Sequence, residues 1–152
     1  MLRRLHGNFG GIILNLDNYI AQQRTYTPTQ LDIIESDKFP IYIKAGAGSG
    51  KTEVLINKII NILTCNAGIS LKNFAIITFT NKAANQMKSR LRDRLYIEWL
   101  KWMEGYPDST QNQDFWRKQL ELCDMVDIST IHAFCEKLLR KYGLTIGIAL
   151  NF

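Results

Sequence analysis

The octapeptide AGAGSGKT at residues 45–52, which follows the apolar run PIYIK, limits the fold of this chain more than any other feature. It matches the P-loop pattern G-x-x-x-x-G-K-[ST] at Gly50, Lys51 and Thr52, with Ala45 in place of the first glycine. Glycines let the backbone turn its amide groups inward as an anion-binding nest, and a helix that begins there adds its positive end. A glycine-rich turn without a ligand is the alternative, but the strand pattern before it and the helix pattern after it favour a phosphate site.

The pattern assigns a chemical role to the two residues that end the loop. Lys51 would contact the β- and γ-phosphates of a nucleoside triphosphate, and the Thr52 hydroxyl would bind Mg²⁺. Lys51 and Thr52 are therefore the candidate catalytic residues, and the chemistry is expected at the β–γ phosphate bond. The loop alone does not say what cleavage of that bond drives.

Apolar runs that alternate with helical patterns predict an α/β fold. The runs at residues 38–45 and 73–80 are nearly continuous in apolarity, and residues 125–130 form a weaker third run. Continuous apolarity is typical of strands in a buried parallel sheet. Helices are predicted from Pro28 and at residues 50–63, 81–103, 111–122 and 131–142, and the apolar stripe of the longest one is Ala84, Met87, Leu91 and Leu95. The order implies a parallel sheet with helices on its faces and right-handed crossovers.

Composition excludes several other classes of protein. With 46% apolar residues, 22% charged residues and a length of 152, the chain suits one globular domain. No stretch approaches the ~20 apolar residues of a membrane span, so we expect a cytoplasmic protein. Three widely spaced cysteines and two histidines, His6 and His132, argue against a disulfide framework and a histidine-rich metal site.

Basic residues concentrate in one part of the chain. Residues 72–101 contain seven lysines and arginines and two acidic residues, and the chain as a whole has a net charge of +5. Such a face suits a polyanion partner, and a solvated helix face is an equally good interpretation of the charge alone.

Three further segments indicate what the loop is for: YTPTQLDIIES before it, and AIITFTNKAANQMKSRL and ISTIHAFCEKLLRKYG after it. With AGAGSGKT, this set resembles the Q motif and motifs I, Ia and Ib of superfamily 1 helicases of the UvrD/Rep type, in that family's order. The resemblance runs from about residue 26 to residue 152. The phrase DISTIHAFC and the long insert before it are similar to the AddA/RecB helicase–nuclease branch.

The resemblance implies a RecA-like P-loop NTPase, a three-layer α/β/α fold of which this chain holds a partial parallel sheet with helices on both faces. It also implies ATP and Mg²⁺ as ligands, with Gln30 as the glutamine that reads the adenine edge and Thr52 as the metal ligand. Without the family, a glutamine in this position is usually a helix surface residue. The implied nucleotide-binding set is Gln30, Ala45, Gly46, Ala47, Gly48, Ser49, Gly50, Lys51, Thr52 and Glu53.

The same resemblance implies contacts to single-stranded DNA from two segments. In motif Ia, Phe79 would stack on a base, and Thr78, Thr80 and Asn81 would bond to phosphates. In motif Ib, Thr130 and His132 would face the DNA. The residues by themselves allow other interpretations: Phe79 could belong to the core, and His132 could be a capping or packing residue.

The family's hydrolytic carboxylates, an Asp-Glu pair in motif II, have no counterpart, because the sequence contains no Asp-Glu dipeptide. We therefore expect residues 25–152 to be a RecA-like domain truncated before motif II, and residues 1–24 to be an N-terminal extension. The remainder of the helicase, including a second RecA-like half, would be a partner, and an incomplete sheet could lead to self-association. The alternatives are a non-catalytic module that binds nucleotide or single-stranded DNA, and another P-loop NTPase such as a kinase.

Overall fold

A computed structural model describes residues 26–46, 48–103 and 112–146, so the predicted extension at residues 1–24 lies outside the described residues. Five α-helices and two strands follow in the order α1, α2, β1, α3, α4, β2, α5 within this part of the chain. Their bounds are Pro28–Glu35, Lys51–Cys65, Ala75–Thr78, Asn81–Met103, Gln113–Leu122, Asp127–Thr130 and Ile131–Tyr142. None of the helices in the described residues is long and apolar enough to cross a membrane.

The two strands pair in parallel, as predicted for the second and third apolar runs. Ala75 lies opposite Asp127, and the register continues to Thr78 opposite Thr130. The connection between them is made by α3 and α4. Because the strands are parallel and in register, their carboxyl ends meet at one edge.

The first predicted strand, at residues 38–45, is wrong for this structure: these residues form no regular secondary structure. Tyr42 is 90% exposed and Ile43 is 42% exposed. A strand needs a neighbour to pair its N–H and C=O groups, and no described strand lies beside this run. Its β-rich composition is therefore not sufficient to place it in the sheet.

The prediction for α3 is confirmed at both ends and along its apolar stripe. Ala84, Met87, Leu91 and Leu95 are all buried. Met87, Leu91 and Leu95 pack in a core with Ile56, Ile59 and Leu63 of α2, Ile76 of β1 and Trp116 of α4. The core therefore lies between the long helix and the helix that follows the glycine loop.

One face of β1 is only partly covered by the described residues. Ile76 is buried, but the neighbouring Ile77 is 42% exposed. The helix α5 contacts both strands and has no buried residue, although its sequence is amphipathic. Continuous apolarity in β1 thus corresponds here to one buried face and one partly covered face.

Candidate nucleotide site and nucleic-acid edge

The glycine loop has the backbone that an anion nest requires. Gly48 and Gly50 adopt left-handed conformations, with φ of 75° and 79°. A Cβ added to Gly50 would also lie 3.4 Å from the side-chain nitrogen of Gln30. Other residues resist a positive φ, so glycine at these two positions is a requirement of the turn. Ala47, which the sequence assigns to the same set, lies outside the described residues.

The side chains of Lys51 and Ser49 bind the backbone of the loop itself. Lys51 Nζ donates to the carbonyl oxygens of Ala45, at 2.7 Å, and Gly46, at 2.5 Å. Ser49 Oγ donates to the Gly46 carbonyl at 2.8 Å. The lysine ammonium is therefore held directly over the loop from which it would reach a phosphate.

The helix α2 begins without a side-chain cap. Four other described helices begin with a side-chain oxygen that accepts a backbone N–H: Thr27 before α1, Thr80 before α3, Asn112 before α4 and Thr130 before α5. The N-cap of α2 is Gly50, which has no such bond. The first amides of α2 are therefore available to an anion at the positive end of the helix dipole.

The two residues that follow Lys51 have different surroundings: Thr52 faces solvent and Glu53 contacts the protein. Thr52 is exposed in the first turn of α2. Asn57 Nδ2 donates to the Glu53 carbonyl at 2.9 Å and to the Glu53 carboxylate at 3.2 Å, while Asn57 Oδ1 accepts from Arg94 Nε at 3.1 Å. Glu53 is thus tied to α3 through Asn57, whereas Thr52 is open to solvent.

Gln30 lies against the glycine loop, where the sequence places the adenine-reading residue. Its Oε1 accepts from the Thr27 N–H at 2.9 Å, and its Nε2 donates to the Ser49 carbonyl at 3.2 Å. These partners fix which atom of the amide is oxygen. A carboxamide has two donors and two acceptor positions, so one of each remains for a ligand. Adenine N7 and N6 together need one donor and one acceptor.

The predicted DNA residues come together at the carboxyl edge of the sheet. Thr78 and Thr130 are paired in the register, and each is followed within three residues by a new helix. Thr80 Oγ1 accepts from Ala83 N at 3.1 Å, and Thr130 Oγ1 accepts from Ala133 N at 3.4 Å. Both hydroxyls keep their own proton for donation to a phosphate.

Phe79 and His132 project from this edge. Phe79 is 100% exposed, which excludes its interpretation as a core residue. His132 is exposed in the first turn of α5, and the capping role there belongs to Thr130. Asn81 is exposed at the first position of α3. An aromatic ring, an imidazole and an amide therefore lie close in the chain to the two cap hydroxyls, at the carboxyl ends of the paired strands.

A model of the UvrD/REP helicase N-terminal domain matches residues 26–152 of this chain. The chain belongs to this family. Among its relatives, an ATP-dependent helicase/nuclease subunit of Carboxydothermus hydrogenoformans is 35% identical over 130 residues, which is 85% of this chain and 10% of that protein. The proteins of the same name from Streptococcus uberis and Natranaerobius thermophilus are 37% and 36% identical over 87% and 83% of the chain.

The chain spans about a tenth of the length of these curated relatives. Their name agrees with the helicase–nuclease branch that the sequence resembles. The UvrD/REP match also agrees with a P-loop, RecA-like fold, and the parallel pairing of β1 and β2 is consistent with it.

More than half of the basic residues in the segment 72–101 of this UvrD/REP domain are paired with carboxylates. Four of its basic residues pair with carboxylates: Lys88 and Arg92 with Asp124, and Arg94 and Lys101 with Glu98. The hydrogen bond from Arg92, with a second from Lys88, lowers the pKa of Asp124. The other three basic residues of the segment, Lys72, Lys82 and Arg90, form no ion pair within the described residues.

The sequence motifs do not reveal one polar contact between α2 and α1. Lys58 is buried in α2, one helical turn after the buried Val54. Its ammonium binds carbonyl groups of α1 and of the residue that ends it. A signal was present, because Lys58 interrupts the apolar face of α2 at a helical spacing from Val54.

Proposed function

We propose that this chain carries the ATP site and part of the single-stranded DNA surface of an ATP-dependent DNA helicase of the helicase–nuclease kind. The observation that carries the proposal is the loop at residues 45–52. Its two left-handed glycines lead into a helix whose N-terminus has no side-chain cap, with Lys51 as its first residue. This is the arrangement that binds phosphate groups in P-loop proteins.

The residues present fit Mg·ATP. A Cβ added to Gly46 or Gly48 would meet no atom within 4 Å, so the loop has open space beside it. Lys51 would bind the β- and γ-phosphates, Thr52 would bind the metal, and Gln30 would read the adenine with its remaining donor and acceptor. Mg²⁺ supplies neutralisation of the phosphate charge when bound. Ala45, Ser49 and Glu53 complete the proposed nucleotide set with the glycines and Ala47.

The DNA part of the proposal concerns the carboxyl edge of the sheet. Phe79 offers a fully exposed ring to a base, and stacking of this kind tolerates any sequence. The hydroxyls of Thr80 and Thr130, the Asn81 amide and His132 would bind the sugar–phosphate backbone around it. Thr78 Oγ1 donates to the Thr80 carbonyl at 3.0 Å, so the sequence-predicted phosphate contact of Thr78 would require that bond to be exchanged. A motor that moves along DNA needs this kind of contact, which does not depend on the base.

We extend the proposal to the architecture. Residues 25–152 would be part of a three-layer RecA-like domain of a cytoplasmic helicase, and residues 1–24 an extension to it. Hydrolysis needs an acidic pair for Mg²⁺ and the attacking water, and the sequence contains no Asp-Glu dipeptide. The chain would therefore bind Mg·ATP without hydrolysing it, and a second RecA-like half would be its partner.

The test is a calorimetric titration of Mg·ATP into this chain and into two lysine variants. Lys51→Ala should abolish binding, because it removes the cation over the loop. Lys44→Ala, an exposed lysine just before the loop, is the matched control and should bind as the wild type does. Binding that survives Lys51→Ala would contradict the proposed site.

A turnover assay separates the remaining alternatives. We expect no release of phosphate, with or without single-stranded DNA, because the hydrolytic carboxylates are missing. Turnover stimulated by single-stranded DNA would contradict that expectation and make the chain an ATPase by itself. Transfer of phosphate to a small acceptor would favour a kinase, which the UvrD/REP match argues against.

A further inference from the structure

Lys58 is a buried lysine whose ammonium is held by the end of another helix. It is 7% exposed. Its Nζ donates to the Ile34 carbonyl at 3.0 Å and to the Ser36 carbonyl, and it lies 5.6 Å from the centre of the Phe39 ring. No carboxylate in the described part of the chain pairs with it. The negative end of the α1 dipole therefore stabilises this charge.

Lys58 works together with Asn61, which lies one turn further along α2. Asn61 Nδ2 donates to the same Ile34 carbonyl at 2.9 Å. The last carbonyls of a helix have no partner within the helix, and they need one when they are buried. Side chains of α2 thus satisfy the carboxyl end of α1.

The contact between α1 and α2 depends on these polar anchors. Ile34 is the only buried residue of α1, so the apolar part of the contact is small. At the other end of α1, Gln30 donates to the Ser49 carbonyl of the glycine loop. The anchored residues Gln30 and Ile34 lie about 6 Å apart along the axis of α1, so the two anchors fix its position along α2 and over the loop.

We propose that Lys58 is a positioning residue of the nucleotide site: it holds α1 against α2 and so keeps the Gln30 amide in place for the base. This inference rests on the proposed function. Lys58 lies seven residues after Lys51, on the side of α2 that faces α1, and its ammonium binds the end of α1 instead of the loop. Replacing Lys58 should therefore weaken recognition of the base and leave binding of the phosphates unchanged.

The experiment compares three ligands: Mg·ATP, Mg·GTP and Mg·tripolyphosphate, which has no base. Each is titrated into the wild type, Lys58→Met, Lys58→Arg and the control Lys82→Met, which removes an exposed lysine of α3. For Lys58→Met we expect ATP affinity to fall about three- to tenfold and the preference for ATP over GTP to shrink. Tripolyphosphate affinity should stay within about twofold of the wild type, since the loop is unchanged.

Two further variants test the route through Gln30. Lys58→Arg keeps the charge and a donor, so it should recover most of the preference for ATP. In Gln30→Ala, the added Lys58→Met change should cause no further loss of that preference. An unchanged ratio of ATP to GTP affinity in Lys58→Met, an equal loss for tripolyphosphate, or additive losses in the double variant would each overturn the proposal.

Hydrogen exchange of the amides at residues 29–35 gives a readout that needs no nucleotide. It should be faster in Lys58→Met than in the wild type, and equal rates would overturn the inference. If the wild type binds none of the three ligands, the proposed function fails, and the exchange result still decides the anchoring. Should Lys58→Met not fold, Asn61→Ala takes its place in every measurement, with a smaller shift expected in the same direction.

Discussion

Replacing Phe79 with alanine should weaken binding of single-stranded DNA and leave the stability of the fold unchanged. The ring is 100% exposed, at the point where β1 ends and α3 begins. Removing it uncovers no apolar surface, so the free energy of unfolding should stay within about 0.5 kcal/mol of the wild type. A phenylalanine of the core would instead cost about 3–5 kcal/mol on the same change.

The effect on DNA follows from the lost stacking. Base–aromatic stacking is worth about 1–3 kcal/mol, which corresponds to a loss of roughly 5- to 150-fold in affinity. The assay is the fluorescence anisotropy of a dye-labelled oligothymidine at one fixed salt concentration, since phosphate contacts make the affinity depend on salt. Thermal unfolding of the same samples measures the stability.

Two variants provide the comparison. Phe79→Trp keeps a ring that can stack and should retain affinity. Tyr42→Ala removes another aromatic ring, which is 90% exposed and lies outside the sheet edge, and should have no effect on DNA. The reasoning is refuted if Phe79→Ala binds DNA as well as the wild type does, if it unfolds at a clearly lower temperature, or if the wild type binds no DNA.

Two other predictions concern the packing around α3. Hydrogen bonds from Arg92 and Lys88 lower the pKa of Asp124, so its contribution to stability is complete above pH 3.8, the ordinary value, and is lost as the pH falls through the lower folded value. Asp124→Asn should therefore lower the free energy of unfolding by less than about 1 kcal/mol at neutral pH, because the ion pair is exposed. In acid unfolding curves, the difference in stability between this variant and the wild type should disappear as the pH falls. A difference that persists in acid would contradict the pairing. Cys123 is buried, and its burial raises the pKa of its thiol, whereas Cys65 and Cys135 are exposed. A thiol reagent should therefore label Cys65 and Cys135 quickly and Cys123 only on unfolding. Equal labelling rates for all three thiols would count against the packing.

Much of the local structure could be predicted from the sequence alone. The predicted bounds of α3 and α5 agree with the structure at both ends, because apolar spacing and helix caps depend on residues that are close in the sequence. The same holds for the loop, where the positive φ values of Gly48 and Gly50 follow from the need for glycine in a nest. The parallel pairing of β1 and β2 followed from alternating strand and helix patterns.

Other features depended on partners that are far away in the sequence. The run at residues 38–45 has the composition of a strand, but a strand exists only where a second one pairs with it. The charge of α3 is reduced by Asp124, which lies beyond the following helix. Whether Phe79 is buried or open is decided by what packs on the sheet, and composition does not contain that information.

The sequence by itself determined the residue types of the candidate phosphate site: a glycine loop, a lysine and a threonine, in the order that such a site needs. Only the tertiary structure decided how those residues are supported. Gln30 lies on the loop because Lys58 and Asn61 hold the far end of its helix. Local patterns report which backbone a segment can adopt, whereas the fit between segments arises from contacts that no single segment encodes.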